Sequence, residues 1–191
     1  MEGSGAMIRK ALVMQLAACV AALSLAACSA APTTLVEKKA LQQQAQVALT
    51  KAHTQDPTLL ALLGSSQAYA VFPEVGKVAA GIGGAYGKGV FVEHGVLAGY
   101  CDITQASIGA QLGAQTYTEV VCFQTQQAVA QFKAGGFALG AQVTAVALQS
   151  GASANATYSD GVVVLTADEQ GLMAEASVGG QSFEYQPLSG G

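Results

Sequence analysis

The segment IGAQLGAQTYTEVVC, residues 108–122, decides the fold expected for this 191-residue chain. Small or apolar residues occupy its even positions, and glycine, glutamine, tyrosine and glutamate occupy most of its odd positions. A repeat of two residues is typical of a β-strand, because successive side chains point to opposite faces of the sheet. The segment therefore predicts a long strand with one buried face and one polar face.

Glycine is unevenly distributed around this strand. No glycine occurs between Ala6 and Leu63, whereas 21 occur from Gly64 onward. This shift predicts a helical N-terminal part followed by strands and turns. Seven glycines lie between Gly81 and Gly99, a density that indicates bulges, sharp coiling or close backbone approach, as at the corners of a small barrel.

Three helices are predicted from their capping residues. Thr34 and Glu37 have the spacing of a capping box, in which the two side chains bind the first free amides of a helix. Asp56, which is followed by a proline, predicts the start of a second, short helix. Thr125 predicts a third helix that ends at Lys133.

The remaining segments predict strands joined by turns. Besides strands in the glycine-rich stretch, strands are expected at Ala68 to Phe72 (followed by a turn from Glu74 to Lys77), Ala138 to Leu148, Val162 to Thr166, Leu172 to Val178 and Gln181 to Gln186. The expected two-residue turns are His94-Gly95, Asp160-Gly161 and Gly179-Gly180. The predicted fold class is α+β: a mainly antiparallel sheet or small barrel-like domain with N-terminal helices and one short mid-chain helix.

The N-terminus has the pattern of an export signal. A basic stretch ends at Lys10 and precedes 17 almost uncharged residues, Ala11 to Ala27, too few for a comfortable membrane span. The run ends in LAAC, residues 25–28, which resembles the lipobox of bacterial lipoproteins. We expect a signal peptide at 1–27, a lipidated tether at 28–33, a folded domain at 34–186 and a tail at 187–191. The alternative is an ordinary secretory signal cleaved near Ala27.

The lipobox resemblance implies a covalent anchor at Cys28. In that family the cysteine carries a diacylglycerol on sulfur and a fatty acyl chain, such as palmitate, on its amino group. Ser29 replaces the aspartate that would retain such a protein in the inner membrane. The expected location is therefore the outer membrane, on its periplasmic or surface-exposed face, with no cofactor apart from the attached lipid.

Composition excludes several classes of function. Half of the residues are hydrophobic and only 10% are charged, which excludes intrinsic disorder. The formal charge is −4, and the chain from Cys28 onward has six lysines, eleven acidic residues and no arginine. Nucleic-acid binders carry a surplus of basic residues, so no nucleic-acid partner is expected.

No catalytic or metal motif stands out. The glycine-rich stretch does not fit the dinucleotide pattern, and Gly89 stands where a phosphate loop requires serine or threonine. The chain has only two histidines, His53 and His94. Cys101 and Asp102 lie near His94 in sequence, but their spacing matches no known metal site. The expectation is a protein without enzymatic activity or a bound metal.

Two further cysteines, Cys101 and Cys122, fall on the apolar faces of predicted strands. If those strands are neighbours in an oxidising compartment, the two thiols form a disulfide; otherwise they are buried free thiols. The sequence leaves both alternatives open.

Four sequence blocks in order resemble the SYLF domain family. They are Phe72-Pro73 with Lys77, Gly81 to Gly84 and Gly87 to Gly89; residues 107–115; residues 136–140; and residues 171–174. The resemblance extends from about Leu41 to Phe183. It departs from the family at residues 96–99, where VLAG stands in place of the eukaryotic Trp-Ser-Ala-Pro.

The SYLF resemblance implies binding of membrane lipid, because eukaryotic members bind phosphoinositides. By resemblance, Lys77 and Lys88 are the expected contacts for a phosphoinositide-like or anionic headgroup. Lys38, Lys39 and Lys51 match the family's N-terminal lipid-binding helix only loosely. Actin binding, known for some eukaryotic members, is not expected in a bacterial envelope. The alternative is a structural or protein-interaction lipoprotein whose partners are envelope proteins, and a small hydrolase is a third, weaker hypothesis.

Overall fold

The computed structural model describes residues 32–140, 145–168 and 180–188, all within one unit of residues 31–191. The expected signal peptide, the acylation site at Cys28 and the predicted strand from Leu172 to Val178 lie outside the described residues.

The first helix, α1 (Leu35–Gln55), begins at the predicted capping box. The hydroxyl of Thr34 accepts a hydrogen bond from the Glu37 amide at 3.1 Å, and the Glu37 carboxylate accepts one from the Thr34 amide at 3.1 Å. One face of α1 is buried against the strand that follows; its residues are Leu41, Ala45, Ala48 and Ala52. Small side chains on this face let the helix lie close to the sheet.

The second helix, α2 (Leu59–Ser65), begins after Thr58 and not at Asp56, so the predicted start was wrong. Asp56 is fully buried, and its carboxylate accepts hydrogen bonds from the amide and hydroxyl of Thr58 at 3.0 and 2.6 Å. It also accepts the amides of Gly151 at 3.0 Å and Ser153 at 2.6 Å. Sequence spacing does not reveal these distant amides. Through them Asp56 joins the junction between α1 and α2 to the loop at residues 151–153.

A long antiparallel hairpin dominates the sheet. Strand β1 (Ala68–Glu93) pairs with strand β2 (Val96–Phe123). The predicted turn at His94-Gly95 is confirmed, with φ values of 51° and 78°. The predicted turn from Glu74 to Lys77 was wrong, because β1 continues through it with a register shift between Phe72 and Val75. Pro73 lacks an amide hydrogen and cannot donate to β2. The strand shifts its register at this point and continues in the same direction.

The two halves of β1 fold back toward each other. The Gln67 carbonyl, just before β1, accepts the His94 amide, just after it, at 3.1 Å. A Cβ atom on Gly89 would lie 2.7 Å from the Val71 carbonyl oxygen, and one on Gly87 would lie 2.9 Å from the carbonyl oxygen of residue 74. Only glycine permits these approaches. The expectation of close backbone approach in the glycine-rich stretch is therefore confirmed.

The shorter strands extend both halves of β2. Residues 117–123 of β2 pair with β5 (Val162–Asp168), and residues 99–105 pair with β6 (Gln181–Pro187). Two three-residue strands, β3 (Phe137–Leu139) and β4 (Ala145–Ala147), border β6 and β5. The described strand order is β3-β6-β2-β5-β4, with β1 on β2, and only the β4–β5 pair is parallel.

The mid-chain helix α3 (Gln126–Lys133) starts at Thr125, as predicted. The turn at Asp160-Gly161 is also confirmed, with φ values of 52° and 76°. The single strand predicted from 138 to 148 is instead β3 and β4, with residues 141–144 outside the described residues. With these elements, the α+β fold class with N-terminal helices and a mainly antiparallel sheet is confirmed.

The described core forms two clusters, one on each face of β2. The first is aromatic and includes five fully buried phenylalanines: Phe72, Phe91, Phe123, Phe132 and Phe183. The rings of Phe91 and Phe132 stack with centroids 4.9 Å apart. The second cluster packs the buried faces of α1 and α2 against the other face of the sheet. Both faces of β2 are therefore covered near its ends, and the expected polar face is absent from residues 117–123.

Candidate functional site

Exposed apolar and basic side chains lie together at the start of α1. Leu35 and Val36 are 77% and 78% exposed, although both are large and apolar. Lys39 is exposed beside them, and Lys38 is half-buried with its Nζ 5.6 Å from the centre of the Tyr100 ring. The capping box fixes the position of this helical turn on the domain.

Lys88 lies on the face of β1 that α1 covers. Its side chain is exposed, and its cross-strand partner is Asp102 on β2. The carboxylate of Asp102 accepts the Tyr86 hydroxyl at 3.2 Å, while partial burial raises the Asp102 pKa. Lys88 also lines a groove of about 440 Å³ together with Pro32 and Glu37. Lys88, Lys38 and Lys39 therefore surround the first turns of α1.

The other two candidate lysines lie elsewhere. Lys77 is only 8% exposed, so the structure does not place it as a surface contact for a headgroup. Lys51 is exposed, but it lies more than three helical turns beyond Lys38 and lines a second groove of about 930 Å³. Of the five candidate lysines, Lys38, Lys39 and Lys88 thus lie near the N-terminal turns of α1, whereas Lys51 and Lys77 do not.

The two grooves are continuous along one flank of α1. Both are lined by Ala40 and Gln44 of the helix and by Pro73 and Glu74 of β1. Lys88 marks one end and Lys51 the other. Between the two lysines the helix side of the groove is mainly apolar or uncharged.

A buried polar cluster inside the folded hairpin escaped the sequence analysis. Both carboxylate oxygens of Glu119 accept hydrogen bonds from the Gln181 side-chain amide, at 3.0 and 2.9 Å. Burial raises the pKa of Glu119 to about 8, although the bonds from Gln181 oppose that rise. Nearby on the same strand, the Tyr117 hydroxyl donates to Gln105 Oε1 at 3.0 Å. The alternating pattern placed Glu119 on a polar face, and no local signal shows that this face turns inward.

The two domain cysteines are free and buried. The disulfide between Cys101 and Cys122, one of the two alternatives, is not formed. The sequence analysis expected them on two separate strands that could be neighbours, but both lie on β2, 21 positions apart. An odd separation turns the two thiols to opposite faces, and they belong to different core clusters.

Histidines and acids do not assemble into a metal site in the described part of the chain, where no group of three or more potential ligands comes together. His94 is exposed, and its Nε2 lies 3.4 Å from the side-chain nitrogen of Gln126.

Among the helices that the structure describes, none combines the length and the apolar character required to cross a membrane.

Comparison with known proteins shows a similarity to one protein family. Residues 104–186 match the family model Ysc84, described as "Las17-binding protein actin regulator". Beta cell expansion factor A of Aeromonas veronii is 25% identical over 154 residues, which cover 80% of this chain and 59% of that protein. The chain thus spans less than two thirds of the length of this relative. Together with the four ordered sequence blocks, these matches support a bacterial SYLF (Ysc84) domain, with the family model matching residues 104–186.

Proposed function

We propose that this chain is a non-enzymatic envelope lipoprotein, anchored through acylated Cys28, whose SYLF domain binds a phospholipid surface. The observation that carries the proposal is the exposed pair Leu35 and Val36, which lies beside Lys39 and shortly after the expected anchor. A surface of this kind suits the boundary between lipid chains and headgroups.

Proximity to the anchor supports the proposal. Seven positions separate Cys28 from Leu35, and even a fully extended chain of that length spans only about 25 Å. An acyl group on Cys28 would therefore hold the start of α1 near the bilayer. Burial of Leu35 and Val36 in the membrane boundary would contribute about 1.5–3 kcal/mol for each fully buried side chain.

Charge supplies a smaller part of the attraction. A lysine next to an anionic membrane contributes about 1 kcal/mol, and Lys39 and Lys88 are exposed near the start of α1. Glu37, Glu74 and Asp102 lie in the same region and offset part of that attraction. We therefore expect binding to anionic vesicles to weaken with salt without disappearing.

Mass spectrometry of the protein from its native host tests the anchor. We expect a chain that begins at Cys28 and carries a diacylglycerol and an amide-linked acyl chain. An unmodified Cys28, or a leader still attached, would overturn the anchoring part of the proposal.

Vesicle co-sedimentation tests the lipid-binding part. The chain from residue 28 onward with Cys28→Ser, which lacks the apolar leader and cannot be acylated, is compared with the same chain carrying Val36→Asp or Lys39→Glu in addition. Each added change is expected to weaken binding to vesicles of mixed anionic and zwitterionic lipid severalfold. Val96→Asp is the matched control, because Val96 is 68% exposed at the far hairpin turn.

Equal sedimentation of all four chains would contradict binding through the start of α1. Capture of a specific envelope protein without vesicle binding would favour the alternative, a protein-interaction lipoprotein. That outcome would agree with the family description, which names a binding protein.

A further inference from the structure

The groove along α1 is lined by apolar and uncharged polar side chains and by four charged ones, Glu37, Lys51, Glu74 and Lys88. Ala40, Val47 and Ala48 of the helix face Pro73 of β1 across it. Its wider part, about 930 Å³, is as large as a typical small-molecule site. The narrower part, about 440 Å³, reaches Pro32, four residues after the expected anchor.

Glu74 and Lys88 carry opposite charges. Both line the narrower part of the groove, and Glu74 also lines the wider part. Within the described residues neither side chain forms an ion pair shorter than 4 Å, although Lys88 interacts electrostatically with its cross-strand partner Asp102. The third charged group, Glu37, is occupied by the capping box and by the amide of Thr33 at 2.9 Å.

We propose that this groove binds a single zwitterionic phospholipid, with its phosphate at Lys88, its ammonium group at Glu74 and one acyl chain along Val47 and Ala48. A purely anionic headgroup would satisfy Lys88 but would be repelled by Glu74. A headgroup with both charges satisfies both side chains, and Val47, Ala48 and Pro73 offer apolar surface where a chain would follow. The inference rests on the proposed function and names the lipid class that one site selects.

Calorimetric titration with short-chain lipid monomers tests this site without a membrane surface. The probes are dihexanoyl phosphatidylethanolamine and dihexanoyl phosphatidylglycerol, each below its critical micelle concentration, added to the chain from residue 28 onward with Cys28→Ser. We expect the phosphatidylethanolamine to bind more tightly. Shortening its chains is expected to weaken binding by up to about fourfold for each methylene lost from the groove.

Charge exchange gives the decisive comparison. Glu74→Lys and Lys88→Glu are each expected to weaken phosphatidylethanolamine binding about fivefold, and the double exchange is expected to restore part of the loss. Gln127→Lys is the control, since Gln127 is exposed on α3, which contributes no residue to the groove. The neutral variants Glu74→Gln and Lys88→Gln replace any charge exchange that fails to fold.

The outcomes separate this inference from the proposed function. The zwitterionic site would be overturned if the unsubstituted chain bound phosphatidylglycerol more tightly than phosphatidylethanolamine. It would also be overturned if Glu74→Lys strengthened phosphatidylglycerol binding without weakening phosphatidylethanolamine binding. Absence of monomer binding would also overturn it. In either case, vesicle binding that depends on Val36 and Lys39 would still support the proposed function. If vesicle binding alone were lost, monomer binding would still support the lipid site in the groove.

Discussion

The side-chain amide of Gln181 donates to both carboxylate oxygens of Glu119, although the two residues are 62 positions apart and lie on different strands. The carboxyl group of Glu119 is fully buried, and Oε1 of Gln181 has no hydrogen-bond partner within the described residues. The bond joins β6 to the half of β2 that pairs with β5. The interior of the folded hairpin therefore contains a titratable link.

This link predicts a loss of stability as pH rises. The Glu119 pKa is about 8 in the folded protein, raised by burial from an ordinary value of 4.5. Between these values the folded state binds more protons than the unfolded state, so the free energy of unfolding falls from about pH 5 to pH 8 and then levels off. The total change is on the order of a few kcal/mol. Urea denaturation at a series of pH values measures it.

The variant Glu119→Gln is expected to remove most of this slope. Asp102→Asn is the comparison variant, because partial burial raises the Asp102 pKa without enclosing the group fully. A slope that survives Glu119→Gln and vanishes in Asp102→Asn would show that the carboxyl responsible is Asp102.

Asp56 predicts a second, opposite dependence on pH. Burial alone would raise its pKa, but hydrogen bonds from Ser153 and Thr58 outweigh burial and hold the pKa well below its ordinary value of 3.8. The stabilisation is present above the ordinary value and is lost as pH falls below it. Asp56→Asn is expected to cost about 1.5–3 kcal/mol at neutral pH. Asp160→Asn, in an exposed turn, is the control and is expected to change stability by less than about 0.5 kcal/mol.

Gly89 predicts a steric limit where the two halves of β1 meet. A methyl group there would lie 2.6 Å from Cδ1 of Phe72, so Gly89→Ala is expected to destabilise the fold by about 1–3 kcal/mol. Gly64 in α2 has no atom within 4 Å of the same added group. Gly64→Ala is expected to be neutral or to stabilise by up to about 1 kcal/mol. Equal thermal denaturation of the two variants would contradict this account.

The buried thiols predict slow alkylation in the folded state. Burial raises the pKa of Cys101 far above its ordinary value and that of Cys122 to about 12. The reactive thiolate is therefore scarce at neutral pH. Iodoacetamide is expected to alkylate both residues only after denaturation, and no reductant should be needed. Peptide mapping locates the alkylated cysteines. A linked Cys101–Cys122 peptide would contradict the described topology.

Local chemistry explains which parts of the fold were predictable. Thr34 and Glu37 are three residues apart and bind each other's backbone, so sequence spacing contains the whole interaction. The turns at His94-Gly95 and Asp160-Gly161 depend on two adjacent residues that accept positive φ. Such signals do not require knowledge of the rest of the chain.

Long-range packing explains the errors. Pro73 stops a strand or bends it according to the partner strand, and β2 continues to pair on either side of it. Glu119 lies on the inner face because the hairpin folds over, a fact set by contacts between distant segments. Of the candidate site, Lys88 and the lysines of α1 were found from a family resemblance, whereas Glu74 and the groove emerge only from the packing of α1 on β1.

The hydrogen bond between Gln67 and His94 has a kinetic consequence. Starting at the turn of His94, the β1–β2 hairpin can zip residue by residue, since each new pair extends one already formed. Bringing Gln67 back to His94 requires that ribbon to bend on itself and recruits β5 and β6 from far along the chain. Contacts of this separation are slow to form, so the bending step is expected to limit the rate at which the domain folds.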